Sequence, residues 1–205
     1  MPAILAKKLG MTQLFQEDGN LERVTVLEAG PCPVTAIRTY DIDGYEAIQL
    51  AFGATKEKHL SKAELGHLRK TGAPPMKHVV EFRDEVGEFI VGESVTVEAF
   101  EVGQRVKVAG TSKGKGFQGG IKRHGFSRGP VSHGSHNVRA VGSIGASATP
   151  SRVLPGRKMP GQMGNKRATE KGLEIVRIDP AQNLLMVRGG VPGPRNGVVE
   201  VRTDG

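Results

Sequence analysis

Between Thr111 and Glu170 the chain carries eleven basic residues (Lys113, Lys115, Lys122, Arg123, Arg128, Arg139, Arg152, Arg157, Lys158, Lys166 and Arg167) against a single acid, Glu170. Twelve of the 29 glycines fall in the same stretch. A segment of this make-up does not collapse alone: its charges repel, glycine loses much entropy on ordering, and little apolar surface is available to offset either. It shows neither a sustained period of two nor one of 3.6. So long a structureless loop in a compact chain is usually functional or disordered. It is therefore either a disordered basic linker or a segment that an anion orders. Its spaced Phe, Ile and Met residues set it apart from repetitive linkers.

The whole chain has a formal charge of +8 and a pI near 9.8. The basic segment alone exceeds that charge, so the remainder is near neutral and slightly acidic. Such a balance points to a polyanionic partner. A membrane surface is the weaker option, because no amphipathic anchor is present. The N-terminus MPAILAKKLGMTQLF has too short an apolar run for a signal peptide, and no run reaches the roughly 20 residues of a span. The one cysteine, Cys32, cannot form an internal disulfide, which suits a reducing compartment. It lies between Pro31 and Pro33 with no histidine nearby, and reads as a small buried hydrophobe rather than a nucleophile. The expectation is a soluble, cytoplasmic protein.

The flanks read as β. Alternating runs occur at Leu21–Ala29, Val34–Thr39, Glu46–Phe52, Val79–Phe82, Glu88–Ala99 and Arg105–Ala109, and again at Leu173–Ile178, Asn183–Arg188 and Val198–Arg202. Turn signals occur at Glu17–Asn20 and at Asp179–Gln182. One helix is predicted over Ser61–Lys70, where Ser61 and Glu64 have capping-box spacing. Many short strands suggest a barrel or sandwich. The predicted organisation is a mainly β body, 1–110 with 167–205, bearing a small helical insert near 55–75. The basic segment, 111–166, is inserted between two of its strands.

Several chemistries can be set aside. The residues Gly114–Gly119 form a G-x-G-x-x-G pattern, but the residues that follow are poor helix formers and no acid stands about 20 positions on, as a dinucleotide site needs. No phosphate-binding loop of the Gly-Lys-Ser/Thr type is present. His124, His133 and His136 lack Cys, Asp or Glu companions for a metal. The segment's serines and histidines lack a carboxylate to orient a base. Neither a cofactor nor a small-molecule substrate is expected. What remains is phosphate binding over an extended surface: glycine lets backbone N–H groups approach, while Lys and Arg neutralise. Phe117 and Phe126 either stack on bases or pin the loop. The regular spacing of charge suits a ribbon between several backbones, hence folded RNA rather than one duplex groove.

Four motifs carry a family resemblance: KKLGMT at Lys7–Thr12, GTSKGKGFQGGIKR at Gly110–Arg123, GSIG at Gly142–Gly145 and KMPGQMGN at Lys158–Asn165. In this order and spacing the chain resembles the bacterial form of the large-subunit ribosomal protein L-three family over essentially its whole length. The resemblance implies a six-stranded β-barrel of the translation-protein type with a small α/β insert and a long irregular basic extension. It implies a structural, non-enzymatic role: binding 23S ribosomal RNA near its 3′ end, nucleating early assembly, and sending the extension toward the peptidyl transferase centre. The implied neighbours include the fourteenth and nineteenth large-subunit proteins.

By motif, Lys113, Lys115, Lys122 and Arg123 would lie on RNA at the root of the extension, and Arg157, Lys158, Lys166 and Arg167 along its return. Phe117, His124, Arg128, Arg139 and Arg152 complete the expected RNA-binding set. Gly142, Ser143, Gly145, Ala146, Ser147 and Ala148 would form the tip. Many bacterial family members read GSIGQNQTPG there, with a glutamine that can be methylated. This chain has Ala146 and Ala148 instead, so that modification does not carry over.

The alternative function is a free RNA chaperone or translation factor using the same basic arm. In either case, with about 6–10 of the basic residues on phosphates, RNA affinity should fall by about 10³–10⁵ between 50 and 200 mM salt. Filter binding across that range measures it, and a flat response would exclude phosphate contact as the source of affinity.

Overall fold

The computed structural model describes residues 2–16, 19–83 and 89–204. Its strands are β1 (Ala3–Phe15), β2 (Leu21–Ala29), β3 (Cys32–Arg38), β4 (Ala47–Ala54), β5 (Met76–Arg83), β6 (Ser94–Val95), β7 (Arg105–Thr111), β8 (Phe117–Gln118), β9 (Gly161–Gln162), β10 (Arg167–Asp179), β11 (Leu184–Arg188) and β12 (Val198–Thr203). Its helices are α1 (Tyr40–Asp43), α2 (Lys62–Lys70) and α3 (Gly120–His124). The chain divides into two compact units: Met1–Ser112 with Arg167–Gly205, and Lys113–Lys166.

In the first unit, six strands close into an antiparallel barrel in the order β1-β12-β7-β10-β11-β2. This is the barrel that the resemblance implies. Alternating side chains send Ile4, Val24, Leu27, Val106, Val108, Ile175, Leu185 and Val201 into a fully buried core. The long strands bend at register shifts between Lys8 and Gly10, Glu170 and Leu173, and Ile175 and Arg177. Such bulges add the twist that closure requires. A second sheet, β5-β4-β3-β6, contributes Ile48, Leu50 and Phe82 to the same core.

Strand β1 was not predicted, because its residues are a short apolar run followed by the KKLGMT motif, without the alternation that marks a strand. That motif has a structural cause. Lys8 is buried, and its Nζ donates to the carbonyl of Val191 at 2.6 Å, tying β1 to the turn before β12. The run Glu88–Ala99 is corrected. Among its described residues only Ser94–Val95 forms a strand, because the chain turns at Gly92 (φ +94°) and again in a 3₁₀ turn at Val97–Ala99. Glu88 itself lies outside the described residues, as do Glu17 and Asp18 of the expected hairpin. Gly19 (φ +80°) is described, and Phe15 pairs with Leu21 across that turn. The strands flanking the basic segment are longer than predicted, running to Thr111 and starting at Arg167.

Cys32 is fully buried and its thiol faces the Leu5 carbonyl at 3.5 Å. Burial pushes that thiol up to about 12, so it is no nucleophile. Helix α2 begins at the predicted capping box: the Ser61 hydroxyl accepts from the Glu64 N–H, and Glu64 accepts from the Ser61 N–H at 2.8 Å. A polar network ties this helix to the second sheet. His67 bonds Gln49 at 2.6 Å, and Gln49 donates to Glu81 at 3.1 Å. Glu81 also accepts from Tyr45 at 2.8 Å and from Arg38 at 3.2 Å.

Partial burial of Glu81 works against its charge, but the bonds from Tyr45, Arg38 and Gln49 outweigh it and hold the carboxyl below its ordinary value. A lowered native value contributes stability that is complete above the ordinary carboxylate range and is lost as pH falls through the lowered value. Glu81→Gln should therefore flatten the acid side of the stability profile. Thermal midpoints of both proteins, followed from pH 7 down past 4.5, test this; parallel curves would refute it.

Candidate nucleic-acid interface

The second unit, Lys113–Lys166, contains ten basic residues and no acid. Its order comes mostly from backbone. Strands β8 and β9 pair antiparallel, with Phe117 opposite Gln162 and Gln118 opposite Gly161. The Lys115 N–H donates to Met163 O at 2.9 Å, and the Met163 N–H donates to Gly116 O at 3.0 Å. The GTSKGKGFQGG and KMPGQMGN stretches, distant in sequence, are thus zipped together. Gly164 (φ +71°) lies so close to this partner that a Cβ would stand 2.0 Å from the Lys113 carbonyl oxygen. A Cβ on Gly161 would meet the Arg123 guanidinium at 2.8 Å.

Helix α3 follows β8, which corrects the expectation that Gly119–Pro130 forms no helix. It is a single five-residue turn closed by Gly125 in the left-handed region, too short to serve a dinucleotide. Its length suits a brace. Arg123 Nη1 donates to Met159 O at 2.6 Å, and His124 Nε2 bonds the same carbonyl at 2.9 Å. The Phe126 ring packs on Gly120, where a Cβ would stand 2.8 Å away, with the His124 ring 5.7 Å distant. The two phenylalanines therefore separate. Phe126 holds the unit together, while Phe117 is 76% exposed and open to a stacking partner.

The remaining predicted residues sort the same way. Lys113, Lys115, Lys122, Arg128, Arg139, Arg152, Lys158 and Lys166 are exposed. Arg123 and His124 are half-buried braces, so their backbone bonds leave them less free to reach a phosphate. Arg167 belongs to the other unit, in β10, and pairs with Glu200 at 2.5 Å. Gly142, Ser143, Gly145, Ala146, Ser147 and Ala148 are all exposed. Arg157, also exposed, donates to the Ser143 carbonyl, and the Ser143 hydroxyl donates to Gly145 O at 3.2 Å. His133 and His136 are exposed too, and among the described residues no group of three His, Cys, Asp or Glu is placed to hold a metal.

A concavity of about 520 Å³ lies on this unit, with Phe126, Ile144, Pro150 and Leu154 as apolar lining and Arg152, Arg157 and Lys158 as cations. Apolar floor with cationic rim suits an unstacked base and its phosphate. The sequence hinted at it only through isolated apolar residues in a polar stretch. The anchoring carbonyl of Met159 carried no sequence signal at all, since every residue has one.

A profile of the family described as Ribosomal protein L3 matches residues 53–183. A protein of Prochlorococcus marinus (strain MIT 9515) named large ribosomal subunit protein uL3 is 54% identical over 200 residues, covering 97% of this chain and 92% of its own. A protein of the same name from Synechococcus elongatus is 51% identical over 199 residues, covering 97% and 93%.

The zipped pair of stretches makes a specific demand at Gly164. Gly164→Ala should open the second unit while sparing the barrel. Limited proteolysis should then cut within 113–166 at lower protease concentration, with the main thermal transition unmoved. Equal resistance in both proteins would mean that the Lys113 contact is not needed.

Proposed function

We propose, from the premise that this chain belongs to the ribosomal protein L3 family, that it is a structural protein of the large ribosomal subunit that grips 23S ribosomal RNA with its Lys113–Lys166 unit. The observation that carries this reading is charge without counter-charge: ten basic residues, most of them exposed, on a backbone braced by its own carbonyls rather than by acids. Such a surface matches phosphate.

In this reading the exposed lysines and arginines position the unit on several RNA backbones. Phe117 stacks on a base, and the concavity beside Ile144 and Leu154 takes another. Arg123 and His124 contribute by rigidity. The Gly142–Ala148 stretch is the tip directed toward the peptidyl transferase centre. The protein binds near the 3′ end of 23S rRNA early in assembly, beside the fourteenth and nineteenth large-subunit proteins. Its place is the cytoplasmic ribosome. The role is architectural: the basic unit supplies no acid–base pair.

The pairing of Thr111 with Arg167 brings the ends of the unit side by side, so it can be excised without stretching the barrel. Replacing residues 113–166 by a short Gly-Ser linker should leave a cooperative thermal transition and abolish most binding to a 23S 3′-region transcript. Retained binding would move the RNA site to the barrel. Equal, weak binding of the full chain to any RNA, with a large unassembled pool in cells, would favour the free-chaperone alternative.

A further inference from the structure

The charge of the first unit is not uniform either. Residues 56–77 hold six basic residues (Lys56, Lys58, Lys62, Arg69, Lys70 and Lys77) and two acids, Glu57 and Glu64, while the first unit as a whole is slightly acidic. Helix α2 organises this region. Leu68 is buried and Leu65 half-buried, which fixes the side turned inward. At 3.6 residues per turn, positions 62, 66, 69 and 70 then share about 100° of arc, centred about 120° round the helix from that side. All four are exposed. Arg69 pairs with Glu57 at 3.2 Å, which sets the Lys56–His59 turn beside the last turn of the helix. Neither Lys62 nor Lys70 has an ion pair among the described residues.

At the middle of this cationic face stands Gly66. Glycine inside a helix costs about 1 kcal/mol relative to alanine. Nothing in the chain requires it: its φ is not positive, and a Cβ placed there would meet no atom within 4 Å. A helix with a gap at the centre of its exposed face, flanked by Lys62, Arg69 and Lys70, is shaped for close approach from outside. The charge selects what approaches.

We infer that the exposed face of α2 is a second RNA-backbone site, in which a phosphate strand crosses the helix over Gly66 between Lys62 and the Arg69–Lys70 pair. It is separate from the Lys113–Lys166 unit, and it rests on the reading of the protein as RNA-binding. Its chemistry is backbone recognition: the lysines neutralise phosphates, Arg69 adds a fork of donors, and the missing Cβ allows contact with the helix backbone. The polar network through His67, Gln49 and Glu81 holds the helix to its sheet, so the face is presented at a fixed angle.

Three variants of the full chain, bound to full-length 23S rRNA transcript, test it. Lys62→Gln with Lys70→Gln should weaken binding, and the loss between 50 and 200 mM salt should become about tenfold smaller, as two fewer phosphate contacts require. Gly66→Leu should weaken binding while its thermal midpoint stays level or rises, since leucine is the better helix former and its Cβ would meet no atom within 4 Å. Ala63→Cys, at the rim of the face, can carry an iron-EDTA tether, because buried Cys32 does not react. It should cleave the rRNA strand in one cluster of positions.

Lys113→Gln with Lys115→Gln serves as the control. If that pair weakens binding and the α2 variants do not, the α2 site is refuted and the basic unit alone binds RNA. If none weakens binding, both readings fall. If the tether cuts no RNA, or the α2 variants impair only association with other large-subunit proteins, the face is a protein-docking surface and the inference is overturned.

Discussion

Ten like charges between Lys113 and Lys166 repel one another, and no acid in that unit relieves them. The internal contacts of that unit accommodate the repulsion. The unit is held by interactions that bring in no negative charge: the β8–β9 ladder, the carbonyl of Met159 under Arg123 and His124, and the ring of Phe126 on Gly120. The Arg123 bond to a neutral carbonyl leaves its positive charge uncancelled while fixing its geometry. An acid in place of the Met159 carbonyl would have braced the loop as well and cancelled part of the surface it presents.

The barrel supplies the complementary property. Closure removes its free edges, and a contiguous apolar cluster fills its core. Several polar groups buried in the first unit are satisfied by backbone carbonyls, as with Thr25 and Gly189 O at 2.6 Å, or Lys8 and Val191 O, whereas Glu22 Oε2 and Thr203 Oγ1 are buried without a partner among the described residues. The division of labour is physical: one unit folds on hydrophobic burial, and the other carries charge that a core could not hold.

Much of this was legible in the sequence. Alternation marked β7 and β12 because inward Val residues alternate with charged neighbours such as Lys107, Glu200 and Arg202, while β4 and β11 were marked as short, mostly apolar runs. The capping box at Ser61 and the turn at Asp179–Gln182 were readable because both are local chemistry. The failures share a cause. Strand β1 has the pattern of a buried run followed by a polar motif, and only its pairing with β12 and β2 makes thirteen residues one strand. The first residues of β10 are polar, and their strand state is imposed by pairing with β7. In the basic unit, glycine positions were visible, but which glycines touch which carbonyls depends on contacts across some fifty residues. Periodicity is silent on such contacts, and so the roles of Arg123 and Phe117 separated only in three dimensions.

The pairing of Thr111 with Arg167 also frees the inserted unit from a constraint on length. Because the barrel already holds the two ends together, the closure entropy of what lies between them rises only logarithmically, by about 0.6 kcal/mol for each doubling. Residues can be gained or lost beyond β8 and β9 without shifting the register of any barrel strand. The far end of the insertion is in this sense tailorable: its reach and its side chains, including the alanines at 146 and 148, can drift to fit a changing RNA surface while the barrel's strand frame stays constant.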